Sequence, residues 1–117
     1  MLLEAIMAVL VGFAPPAADE PPFREARCPD GAVNCESATG RILYVERVDP
    51  DGDGDAHFVI AGPDDVTGLG TSAIDVSRDL RPHPLPGLGE TISAAGPVYR
   101  GSYGQRQIQA DVLRVAP

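Results

Sequence analysis

Four carboxylates fall within seven residues in the run Asp49-Pro50-Asp51-Gly52-Asp53-Gly54-Asp55. Hard cations take six to eight oxygens, and alternating Asp with Gly supplies close-spaced carboxylates on a sharp turn. Asp49, Asp51, Asp53 and Asp55 are therefore a candidate calcium site, completed by water or by Asp64 and Asp65. The pattern matches the first half of an EF-hand loop, but its twelfth position is Ile60 where the bidentate Glu belongs, and a strand-like run follows. It is not an EF-hand, and any calcium affinity would be that of an extracellular module, roughly 10⁻⁴ to 10⁻³ M. The competing reading is a solvated hairpin tip.

A second constellation is Tyr99-Arg100-Gly101-Ser102-Tyr103-Gly104-Gln105-Arg106. Two aromatic faces and two guanidinium groups among glycines suit stacking on bases or sugars and hydrogen bonding to oxyanions. Tyr99, Arg100, Tyr103 and Arg106 are the candidate ligand-binding set; the alternative is a plain glycine-turn hairpin. His57 begins an apolar run beside Asp55, and His83 sits among prolines. No Ser-His-Asp order, H-E-x-x-H, Walker loop or dinucleotide fingerprint occurs, so the expectation is a protein that is not an enzyme.

These groups must be positioned by strands. The runs Ile42 to Val45, His57 to Ile60, Ser72 to Val76, Thr91 to Gly96 and Gln107 to Val112 are short, apolar and bounded by turn residues, and none has a helical period. The first two flank the acidic run as a long-looped hairpin. Prolines at 82, 84 and 86 exclude a helix before the fourth run. In the last run Ile108, Ala110 and Val112 point inward, and the phase shift to Leu113 and Val115 predicts a bulge or a strand end.

Gly89-Glu90-Thr91-Ile92-Ser93-Ala94-Ala95-Gly96-Pro97-Val98 resembles the fourth strand of OB-fold domains, with a Gly-acid opening and a Gly that lets the strand bend. Gly40-Arg41-Ile42-Leu43-Tyr44-Val45 is similar to their first strand, and Asp53-Gly54-Asp55-Ala56-His57 to the turn into the second. The resemblance covers residues 40–115 and is nearest to small exported bacterial OB-like modules. It implies an all-β, five-stranded OB-like Greek-key barrel, with ligands bound near the Asp49–Asp55 and Tyr99–Gln105 loops. A departure is the proline-rich loop where many OB-folds carry a helix; a β-sandwich is the competing architecture.

The 117 residues, 44% of them hydrophobic, are enough for one small domain. Residues 1–18 outline a signal peptide or membrane tether, apolar from Leu2 to Ala14 but too short to span a bilayer comfortably. Residues 19–39 form an extension carrying the only cysteines, Cys28 and Cys35, whose short turn-rich spacing predicts a disulfide staple. Residues 40–117 are the OB-like barrel. An extracellular or periplasmic location follows, with membrane attachment only through an uncleaved amino-terminal segment. The net charge of −8, with nine arginines and no lysine, argues against duplex DNA. The surplus of Ala, Gly, Pro, Asp and Arg suggests a GC-rich bacterial genome.

The expected function is thus an exported, non-catalytic OB-like binding module, calcium-stabilised if the acidic tip holds an ion, for a small ligand, glycan or protein. The alternative is single-stranded nucleic-acid binding through the Tyr99–Arg106 hairpin.

Overall fold

A computed structural model of the chain describes residues 23–46 and 54–117. The apolar segment 1–18 and the acidic positions Asp49, Asp51 and Asp53 lie outside the described residues. Seven strands form one sheet: β1 (Glu36–Glu46), β2 (Ala56–Ala61), β3 (Thr71–Val76), β4 (Thr91–Gly96), β5 (Val98–Arg100), β6 (Arg106–Gln109) and β7 (Val112–Val115). A 3-10 turn, Arg78–Leu80, follows β3 ahead of the proline-rich loop.

Seven strands stand where five were expected, because β5 lies beyond the fourth run and the fifth run breaks in its middle. Pro97 has no N–H to give a ladder, so it separates β4 from β5. Ala110 and Asp111 separate β6 from β7: the Ala110 N–H donates to the Asp75 carbonyl while the Asp111 N–H donates to that of Ala95, each 2.9 and 2.8 Å long respectively. Successive residues thus bond to opposite neighbours. This is the predicted irregularity, and it inverts the phase. Leu113, opposite Ala94, packs on the core, whereas Val112 stands opposite Ala95 on the other face, contrary to its expected inward position.

The pairings close a ring. β1 pairs with β2, β2 with β3, β3 with β6 in parallel and β6 with β5; β5 continues β4, which returns to β1. Among the described residues the end strands of the sheet are the short β5 and β7, so closure leaves no long unpaired edge there. β1 serves both neighbours by bending: Glu36 to Arg41 pair with β4, and Arg41 to Glu46 with β2. The bend requires glycine at position 40, where a Cβ would lie 2.0 Å from the Ala61 carbonyl oxygen. The interior is filled by Ile42, Phe58, Ile60, Ile74, Val76, Ile92 and Ile108, each at most 2% exposed.

The described part of the extension, from residue 23 on, is fastened to the barrel. The Ala26 N–H donates to the buried Ser93 Oγ at 2.8 Å, and the Asn34 side chain bonds both the carbonyl (3.2 Å) and the N–H (3.4 Å) of Val98. Cys28, two residues past the first anchor, and Cys35, next to the second, form the expected disulfide. It closes a loop too short to carry a core of its own.

Candidate functional site

The outer face of the barrel is read off in rows across the strands. Tyr44 on β1 stands opposite Val59 on β2, which pairs with Ala73 on β3; Ala73 pairs with Gln107 on β6, and Gln107 with Tyr99 on β5. The next row is Glu46, His57, Asp75 and Gln109. These residues share a face because side chains alternate along each strand, and the buried partners Phe58 and Ile74 take the other face.

The loop between β5 and β6 folds over this face. Gly101 N–H donates to the Gln105 carbonyl at 2.8 Å, and Gly104 N–H to that of Gly101 at 2.9 Å; Gly104 has φ +78°, which favours glycine. The Tyr103 N–H donates to Gln105 Oε1 at 2.9 Å. A cleft of about 180 Å³ results, its floor made by Tyr44, His57, Val59 and Ala73 and its wall by Tyr103, Gln105 and Gln107. Tyr103 is 95% exposed and Tyr44 55% exposed, so two rings are available to a ligand.

One end of the cleft is acidic. His57 Nε2 lies 3.3 Å from Asp75 Oδ1, and its Nδ1 lies 3.7 Å from Glu46 Oε2. The two carboxylates address opposite ring nitrogens, so they do not converge on one point as metal ligands would. Among the described residues no group of three or more His, Cys, Asp or Glu could hold a metal ion.

The four residues expected to act together are divided by the hairpin register. Arg100 pairs with Arg106 and shares a face with Val98 and Ile108, whereas Tyr99 shares the outer face with Gln107. The two guanidinium groups are also engaged: Arg100 Nη1 donates to the Gly104 carbonyl at 2.8 Å, and Arg106 Nη2 sits 3.4 Å from Glu36 Oε2. Tyr103 alone of the four lines the cleft. Of the acidic set, Asp55 is described; it immediately precedes β2. Beside it, the Gly54 carbonyl accepts from Arg81 Nη1 at 2.8 Å, and a Cβ on Gly54 would lie 2.9 Å from the Arg78 side chain. Two arginines therefore meet the end of the acidic run.

Tyr44, Glu46 and Gln107 line the cleft, with Asp75 behind His57, and none of them stands out by residue type. Their signal is the period-2 alternation, but in β1 it is interrupted: Ile42 pairs with Ile60 and Tyr44 with Val59, leaving Leu43 as an extra, bulged residue. Without that bulge, Tyr44 and Glu46 would fall on the inner face with Ile42.

No protein-family model matches the chain, and no curated protein matches it. Among solved structures, one from the S. pombe Stn1-Ten1 complex is similar with a TM-score of 0.53 at 10% sequence identity. The match covers 72% of this chain, which spans 59% of the length of that one. The ring of strand pairings and this likeness together give the chain an OB-like fold.

Proposed function

We propose that the chain is a non-catalytic OB-like binding module that holds a single strand of nucleic acid across the outer face of β1, β2, β3 and β6, bases inward. The observation that carries this is the cleft between Tyr44 and Tyr103, open to solvent and edged by the Gln105 and Gln107 amides. Stacking on exposed rings is how folds of this class hold a strand, and it tolerates an acidic chain because bases, not phosphates, meet the floor. The Glu46 carboxylate at one end of the cleft can accept a hydrogen bond from an exocyclic amine such as cytosine N4. The test is fluorescence polarisation of labelled single-stranded DNA and RNA of mixed sequence at several salt concentrations. Binding that weakens several-fold in Tyr103→Ala supports the reading. Absence of binding at low salt overturns it.

A second reading is a protein segment in the same cleft. It is favoured by the Glu46, His57 and Asp75 row, which would repel a phosphate and attract a basic side chain, and by Arg100 and Arg106 being already engaged. The similar structure comes itself from a complex, that of Stn1 with Ten1. Export belongs to the proposal as well: the Cys28–Cys35 disulfide supports an oxidising compartment, and mass spectrometry of the protein secreted from its host would reveal the mature terminus.

A further inference from the structure

We propose that Arg24, Arg27 and Arg114 form a binding site for a phosphate group, separate from the Tyr103 cleft. Arg114 lies on β7 opposite Ser93 of β4. Ser93 is fully buried and its hydroxyl is held from two sides, by the Ala26 N–H at 2.8 Å and by Thr39 Oγ1 at 2.7 Å. That anchor lays residues 23–27 against the outside of β4 and brings Arg24 and Arg27 to Arg114, some ninety residues away along the chain. The result is a cleft of about 510 Å³ lined by Phe23, Arg24, Glu25, Arg27 and Arg114.

Charge is the second part of the argument. The chain carries −8, yet three of its nine guanidinium groups line one cleft in which Glu25 is the one carboxylate among the described residues. Arg81, Arg100 and Arg106 each have an acceptor within 3.4 Å, whereas among the described residues none is found for Arg24, Arg27 or Arg114. Like charges brought together by a fixed backbone repel one another, and an oxyanion between them reverses the sign of that interaction. The planar guanidinium fork matches tetrahedral phosphate oxygens two at a time. Such a phosphate is supplied either by a free phosphate compound or by a phospholipid headgroup.

The experiment titrates the full chain at low salt with inorganic pyrophosphate, followed by calorimetry and amide NMR. In a parallel arm it is mixed with vesicles of phosphatidylcholine alone or with added phosphatidylglycerol; the neutral vesicles account for any insertion of the apolar amino-terminal segment. The expected result is saturable one-to-one binding of pyrophosphate, or binding specific to the anionic vesicles, weakened about tenfold or more by Arg27→Gln and by Arg114→Gln. Glu25→Gln should tighten it, and Tyr103→Ala should leave it unchanged. Pyrophosphate binding identifies a free phosphate ligand, and vesicle binding alone identifies a headgroup. The proposal is overturned if neither probe binds, or if binding survives both arginine substitutions in proteins whose melting is unaltered.

Discussion

Gly96→Ala is expected to loosen the barrel at the bend between β4 and β5. A Cβ at this position would lie 1.9 Å from the Gln109 carbonyl oxygen and 3.0 Å from the Asp111 N. Gly96 needs no positive φ, so the cost is steric. Relieving the overlap requires the strands to part by about 1 Å or more, since packed carbon and oxygen do not approach closer than their van der Waals contact. Two hydrogen bonds straddle the point, Gln109 N–H to the Pro97 carbonyl and Asp111 N–H to the Ala95 carbonyl, both 2.8 Å. Stretched by that amount they leave bonding range. Losing them costs about 1 kcal/mol each, and overpacking adds about 1–3 kcal/mol, giving about 3–5 kcal/mol in all. For a domain of this size that corresponds to a fall in melting midpoint of at least about 12 °C. The assay is thermal unfolding followed by circular dichroism, with Gly104→Ala as the control: nothing lies within 4 Å of a Cβ there, so only the φ of +78° opposes it. A Gly96→Ala midpoint within about 2 °C of wild type would refute the close crossing of β4 and β6.

Phe58→Ala removes the largest fully buried side chain among the described residues and should destabilise by about 3–5 kcal/mol in urea unfolding. Replacing both Cys28 and Cys35 by Ser should cost about 2–3 kcal/mol on loop-closure grounds and raise amide exchange first at Ala26, whose bond to Ser93 the staple supports. Tyr103→Ala should leave the midpoint unchanged while weakening single-strand binding at least about fivefold. Millimolar calcium after chelator treatment should shift the midpoint by no more than about 1–2 °C, because Arg78 and Arg81 already meet the end of the acidic run. A calcium-specific rise that disappears in Asp51→Asn with Asp53→Asn would establish an ion site instead.

The strands themselves were legible from local order. Alternating apolar residues, β-branched content and glycine or proline punctuation locate Phe58 and Ile60, Ile74 and Val76, and Ile92 and Ala94 on inner faces, because alternation depends only on neighbours along the chain. The Gly-acid opening at Gly89-Glu90, the bend at Gly96 and the pairing of Cys28 with Cys35 are likewise short-range signals. What alternation leaves open is register, and the candidate site depends on register. The bulge at Leu43 turns Tyr44 and Glu46 outward to meet Val59 and His57; one residue of slip would have buried them. The break at Ala110–Asp111 sends Leu113 inward and Arg114 outward, opposite a serine that holds the distant Ala26. Hairpin pairing separates Arg100 and Arg106 from Tyr99, although they adjoin in sequence. Local sequence therefore determined where most strands lie and which residues alternate on them, while register and closure of the barrel decided the faces of Tyr44, Glu46 and Val112 and which exposed groups meet, since only cross-strand hydrogen bonding sets the rows in which they stand.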